Sequence, residues 1–218
     1  MSGIFISFEG IDGAGKSTHI DGLAEAFRGQ GRAVVLTREP GGTPLAEQLR
    51  KMVLNDAMDP MTEALLVFAA RRDHVMQVIR PALNRDAVVL CDRFSDATFA
   101  YQGAGRGFDW QILCQLEDWV QGNAEDGEHL PMSPTLLKPH LTLWFDLPAN
   151  IASERLITAR VADRFEAQPQ KFFEQVAAGY ARRLEQDPGR FARINADQTP
   201  GLVWLDVMDC MLIRGYLM

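Results

Sequence analysis

Short apolar runs alternate with longer amphipathic stretches along this chain. Ile4–Phe8, Val34–Thr37, Val88–Cys91, Leu141–Phe145 and Phe191–Ile194 are β-branched or aromatic and are bounded by Gly, Pro, Asp or Asn, which predicts five strands. Helical periodicity covers Lys16–Phe27, Pro44–Leu54, Pro60–Leu83, Trp110–Val120, Pro148–Ala159, Lys171–Glu185 and Leu202–Leu212. Asp59 before Pro60 and Asp109 before Trp110 stand where a carboxylate caps a helix start. Strands separated by helices predict right-handed crossovers, hence a three-layer α/β fold: a five-stranded parallel sheet with helices on both faces. Ligands of such sheets sit beyond the carboxyl ends of the strands.

The length of 218 residues suits one domain that needs no disulfide or metal staple. The polar, Gly- and Pro-rich stretch 122–139 reads as a mobile surface insertion, not a boundary. A formal charge of −7 without any Lys/Arg run argues against a nucleic-acid partner. Cys91, Cys114 and Cys210 are scattered and form no metal or disulfide pattern, with Cys91 ending an apolar run as a small core residue. His19, His74, His129 and His140 lack ligand spacing and receive no chemistry. The sequence opens without a leader pattern and holds no apolar stretch of ~18–20 residues, so a cytoplasmic protein without a membrane partner is expected.

One motif dominates. Gly10-Ile11-Asp12-Gly13-Ala14-Gly15-Lys16-Ser17, followed by Thr18, matches G-x-x-x-x-G-K-[ST] between the first strand and the first helix. Glycines let backbone N–H groups close around phosphate oxygens at the positive end of a helix. Lys16 would neutralise the outer phosphates and the Ser17 hydroxyl would ligate Mg²⁺. The motif alone says only that a nucleoside triphosphate binds.

Other clusters follow strand ends: Thr37-Arg38-Glu39-Pro40-Gly41-Gly42-Thr43 after the second and Asp92-Arg93-Phe94 after the third, with Ala100-Tyr101-Gln102 beyond. Joining two anions requires cations around the transferred group, which Arg38, Arg50, Arg71 and Arg93 could supply. Asp92 stands in the Walker-B position, where it either orders Mg²⁺ through water or fixes Arg93.

With the P-loop, these segments resemble the bacterial thymidylate kinase family over nearly the whole chain. The resemblance implies a P-loop kinase fold that moves the γ-phosphate of ATP onto dTMP with Mg²⁺, in a homodimer. It implies that Arg38, Arg50, Arg71 and Arg93 meet the acceptor phosphate, Asp12 the sugar 3′-hydroxyl, and Glu39 the phosphate and metal. Thr98 and Gln102 match positions on the pyrimidine edge, and Tyr101 the residue that crowds the 2′ position. Phe68 would stack on thymine or lie in the core; many relatives carry the aromatic one position earlier, where this chain has Val67.

Residues 154–166 resemble the family's lid, with Arg155, Arg160 and Arg164; Val161-Ala162 replaces the usual glycine before D-R-F-E. The P-loop contributes no arginine, so Arg160 is expected to join Lys16 and Arg93 in catalysis, Arg155 lying on the ATP side. Asn195-Ala196-Asp197 resembles the loop beside adenine, or forms an ordinary Asx turn. Kinases of another monophosphate or of a nucleoside, and a non-catalytic nucleotide switch, stand as alternatives; the switch lacks an N-K-x-D guanine motif.

Overall fold

The computed structural model describes residues 2–122, 136–157, 164–165 and 167–218. The five expected strands form one sheet: β1 (Ile4–Glu9), β2 (Val34–Arg38), β3 (Val88–Asp92), β4 (Leu141–Asp146) and β5 (Phe191–Asn195). All pairings are parallel, in the order β2-β3-β1-β4-β5. Alternate side chains leave opposite faces of each strand. Ile4, Ile6 and Phe8 of β1 and Val88 and Leu90 of β3 enter the larger core with Leu23 and Phe27, whereas Phe5, Val89 and Cys91 pack on the other face with Val75 and Ile79. Burial of both faces is why the central strands read as nearly continuous apolar runs, broken only where Ser7 and Thr142 hydrogen-bond each other.

The helices are α1 (Lys16–Gly29), α2 (Pro44–Asn55), α3 (Pro60–His74), α4 (Arg80–Leu83), α5 (Ser95–Thr98), α6 (Trp110–Gln121), α7 (Ala149–Ile157), α8 (Gln170–Gln186) and α9 (Pro200–Ile213). Asp59 caps α3 through the N–H groups of Met61 and Thr62, and Asp109 caps α6 through Gln111 and Ile112. The helix expected over Pro60–Leu83 is present with a wide π turn at Val75–Ile79, where the Arg80 N–H reaches back to the Val75 carbonyl. Pro81 follows and supplies no N–H of its own, so the ladder is already one bond short there.

One helical segment carries no counterpart in the hydrophobic reading. Ser95–Thr98 continues as a π helix over Phe99–Gly105. Gly103 and Gly105 suggest a loop, yet their role is close packing. A Cβ on Gly105 would meet the Phe172 ring at 2.6 Å, and one on Gly179 of α8 would meet the Ala100 Cα at 2.7 Å. The two helices touch almost backbone to backbone, which holds Thr98, Tyr101 and Gln102 over the end of the sheet. The ends of the 122–139 stretch are joined where the Leu137 N–H donates to the Gln121 carbonyl; residues 123–135 lie outside the described residues.

Candidate active site

Strand register aligns the carboxyl ends of three strands. Phe8, Asp92 and Arg38 pair across β1, β3 and β2, so whatever follows each strand opens on one edge. After β1 comes the P-loop. Gly10 has φ 133° and a Cβ there would lie 2.4 Å from the Phe145 carbonyl oxygen, so the first turn is closed to other residues. Gly15, at φ 83°, precedes the first turn of α1. Lys16 is buried, its ammonium donating to the carbonyls of Gly10 (3.1 Å) and Ile11 (3.2 Å). Burial, helped by Arg93, pushes its pKa down. An anion beside it would relieve both effects.

Next to the P-loop opens a cleft enclosing about 630 Å³ of empty space, the open solvent at its mouth included. Asp12, Glu39, Arg50, Arg71, Arg93, Thr98, Tyr101 and Gln102 all line it. Arg71 on α3 is 1% exposed and immobilised: Nε donates to Glu39 (2.7 Å), Nη2 to the Thr98 hydroxyl (2.7 Å) and the Phe94 carbonyl (3.3 Å). Its Nη1 is buried and carries no partner. A buried guanidinium N–H without an acceptor is costly unless a ligand supplies one. Glu39 is held in turn by His74, whose Nδ1 donates to it (2.9 Å) and whose Nε2 contacts the Thr37 hydroxyl (2.6 Å). Burial opposes the Glu39 charge, but Arg71 and His74 outweigh it and hold its pKa low.

Arg93 adopts φ 69°, a left-handed conformation uncommon for a side-chain-bearing residue. Its N–H groups fix the side chain by donating to the Gly10 carbonyl (2.7 Å), the Tyr180 hydroxyl (3.1 Å) and Asp12 (2.8 Å). The Tyr101 hydroxyl donates to the other Asp12 oxygen (3.1 Å), and its ring lies 4.9 Å from the guanidinium. The sequence model of the family described as Thymidylate kinase matches residues 8–204, a span that includes every candidate position. The chain is 63% identical to the thymidylate kinase of Polaromonas sp. over the whole of both proteins. It is 65% identical to that of Albidiferax ferrireducens over 99% of this chain and 98% of the relative. The crystal structure of thymidylate kinase from Ehrlichia chaffeensis superposes with a TM-score of 0.73 at 31% identity, covering 97% of this chain and 99% of that one.

The chain belongs to the thymidylate kinase family. Its members are ATP-dependent nucleoside-monophosphate kinases, which fits a P-loop facing a cavity lined by arginines. A second cleft is lined by Ser17, Asp92 and Arg38. Arg38 is half exposed and paired with Glu47 (3.0 Å), so the structure separates it from Arg50, Arg71 and Arg93. The Asp92 Oδ1 is buried without a hydrogen-bond partner, while Arg93 pairs with Asp12. That speaks against Asp92 as a clamp on Arg93. Ser17 and Asp92 form a donor set sparse enough for Mg²⁺, which takes one or two protein ligands plus phosphates and water.

Phe68 does not line the cavity. It is 2% exposed in a cluster with Ala64, Phe99 and Leu113, and its ring lies 4.9 Å from the Arg71 guanidinium. Val67 lines the cavity in its place, because successive residues of a helix point about 100° apart. The expected aromatic stack on the base is therefore corrected to an apolar Val67 wall, with Phe68 backing Arg71. Phe165 closes the cavity from above, 5.8 Å from Tyr101 in an edge contact.

Arg155 on α7 bridges the P-loop and the loop after β5, reaching the carbonyls of Gly13 (3.4 Å) and Ala196 (3.3 Å). Asn195 forms an Asx turn, its Oδ1 accepting from the Asp197 N–H (3.0 Å), on the same side as Arg155. Arg160 lies outside the described residues. Arg164 pairs with the buried Glu63 rather than pointing to the P-loop.

Several contributing residues escape sequence reading. Glu9, fully buried at the end of β1, accepts from the Phe94 N–H (2.7 Å) and from the Tyr180 hydroxyl (2.9 Å). It therefore fixes the backbone after Arg93 and the phenol on which Arg93 rests. Burial, reinforced by Asp96, pushes its pKa up to about 8. A carboxylate closing a strand whose other residues are apolar except Ser7 was the available signal. Tyr180, His74 and Glu63 gave none, because only tertiary folding brings them here.

Proposed function

We propose that this protein transfers the γ-phosphoryl group of ATP to dTMP, yielding ADP and dTDP, as a step toward dTTP. The observation that carries the reading is Arg71, which lines the cavity beside the P-loop and whose buried Nη1 has no hydrogen-bond partner. In this reading the backbone of Gly10, Ile11, Asp12, Gly13, Ala14 and Gly15, with Lys16, Ser17 and Thr18, holds the ATP phosphates. Arg155 and Asn195 flank the adenine end. Arg50, Arg71 and Arg93 hold the acceptor phosphate, Glu39 keeps Arg71 aimed, and Asp12 takes the sugar hydroxyl. Tyr101 closes the space beneath the 2′ carbon, and Thr98 and Gln102 meet the base. Arg38 reaches the transfer site only by leaving Glu47.

An oxygen of the dTMP phosphate attacks the γ-phosphorus while the bond from that phosphorus to the β–γ bridging oxygen breaks. No protein nucleophile is needed, because positioning and charge neutralisation carry most phosphoryl transfer. Lys16 and Arg93 neutralise charge on the transferring group; we assign the remaining lid cation to Arg160 in a lid over 154–166. Ser17 and Asp92 would hold Mg²⁺, which supplies charge neutralisation at the phosphates. The chain acts as one kinase domain, with 122–139 a surface insertion outside the chemistry.

We assign the cytoplasm as its compartment and a homodimer as its working form. An exposed apolar stripe on the α3 run, Met61, Leu65 and Met76, flanked by Ile112 and Trp119 of α6, supports self-association. Nucleic acid and membrane play no part in this reading; among the described residues no helix is long and apolar enough to cross a membrane. The test is ADP production with Mg²⁺-ATP and dTMP, dUMP or thymidine. Turnover fastest with dTMP and absent with thymidine is expected; turnover with thymidine alone would overturn the reading.

A further inference from the structure

Glu63 lies on α3, 1% exposed, and shares its carboxylate among three side chains. Gln102 Nε2 donates to Oε1 at 2.7 Å, Arg106 Nε stands 3.6 Å from the same oxygen, and Arg164 pairs with Oε2. A carboxylate between two guanidinium groups only accepts hydrogen bonds. The end of Gln102 that faces it is therefore the NH₂, whichever way the amide would otherwise turn. The other end, the carbonyl oxygen, takes no hydrogen bond among the described residues, and Gln102 lines the acceptor cavity. Thymine and uracil carry a proton on N3, whereas N3 of cytosine is an acceptor. A carbonyl presented to that edge accepts from the first two and opposes the third, lone pair against lone pair.

We infer that Glu63 is a specificity-determining positioning residue: it locks the Gln102 amide with its carbonyl toward the base, and so commits the cavity to pyrimidines protonated at N3. The inference rests on the reading of this cavity as the dTMP site. Glu63 touches no substrate and acts through Gln102. Arg106 and Arg164 also cross the face of Phe165, at 5.2 and 5.1 Å, so one carboxylate ties base orientation to the residue that roofs the cavity.

The variant Glu63→Gln tests this. Arg164 still requires an acceptor, so the new carboxamide turns its oxygen to Arg164 and its NH₂ to Gln102. Gln102 then reverses and shows a donor to the base. The expected result is a fall of roughly 10–100-fold in kcat/KM for dTMP, with the dCMP:dTMP ratio rising at least about tenfold and KM for ATP unchanged. In a Gln102→Leu background the same change leaves that ratio alone. An equal loss for dTMP and dCMP marks a merely structural role and overturns the inference. Gln102→Leu with no effect on the ratio sinks the cavity reading itself; an effect from Gln102→Leu without one from Glu63→Gln sinks only the role of Glu63. Should Glu63→Gln not fold, the unaltered enzyme decides: N3-methylated dTMP is expected to bind at least about tenfold more weakly than dTMP, and equal binding overturns the lock.

Discussion

The Asp12 carboxylate accepts from the Arg93 guanidinium at 2.8 Å, joining the middle of the P-loop to the end of β3. Burial opposes the Asp12 charge, but Arg93, with Lys16 behind it, outweighs burial and lowers its pKa to about 2. The pair is fully formed above the ordinary carboxylate range and is lost only as pH falls toward 2. Acid loss of activity near pH 4–5 would therefore have to arise elsewhere.

Arg93→Lys retains the charge but cannot span the Gly10 carbonyl, Tyr180 hydroxyl and Asp12 with one planar fork. A fall of roughly 10²–10³ in kcat is expected, the loss typical of one pre-aimed donor. Steady-state kinetics with saturating ATP and dTMP checks it; a change confined to KM for ATP would remove Arg93 from the transfer step.

Arg71→Met removes the unpartnered Nη1 and leaves Glu39 buried at 2% exposure with only His74. KM for dTMP should rise by at least about tenfold while KM for ATP holds, and stability should fall by about 3–5 kcal/mol, as when a buried pair loses one partner. Kinetics and denaturant unfolding measure the two effects separately.

Glu9 yields a pH prediction of opposite sign to Asp12. Its folded pKa of about 8 lies above the model-peptide 4.5, so the folded protein binds a proton that the unfolded chain does not. Its contribution is fully present below about 4.5 and is lost as pH rises through about 8. Unfolding curves between those limits should show stability declining with pH, and Glu9→Gln should flatten that decline. An unaltered slope in the variant would exclude Glu9 as its source.

Asp96 is fully buried and accepts from Arg183 (2.8 Å) and from both terminal nitrogens of Arg190 (2.6 and 2.9 Å). It joins α5, α8 and the residue before β5. Asp96→Ala leaves Arg183 with only Glu117 and Arg190 with only Asp187 and Thr142, and should cost about 3 kcal/mol. Thermal unfolding reads the loss; a stable variant of unchanged Tm would place that cluster outside the folding core.

The sheet and P-loop were legible because each is written in contiguous residues: an apolar run, a glycine motif, a helix. The segment Ser95–Gly105 was not, since Gly103 and Gly105 carry the signature of a loop while serving close packing against α6 and α8. Phe68 and Val67 differ by one position, and only the rotation of α3 decides which faces the cavity. Glu63, His74 and Tyr180 come from distant elements, and their hydrogen bonds exist only after packing. The strand-end arginines were legible as a class; that Arg38 would turn to Glu47 was not.

The most direct test joins the two ligands covalently. A molecule linking thymidine and adenosine through a five-phosphate chain spans the P-loop and the Arg71 cavity only if both open on one transfer site. Its inhibition is expected to be competitive against ATP and against dTMP alike, with affinity above either nucleotide alone. Competition against one substrate only would mean that the two anions never meet on this protein.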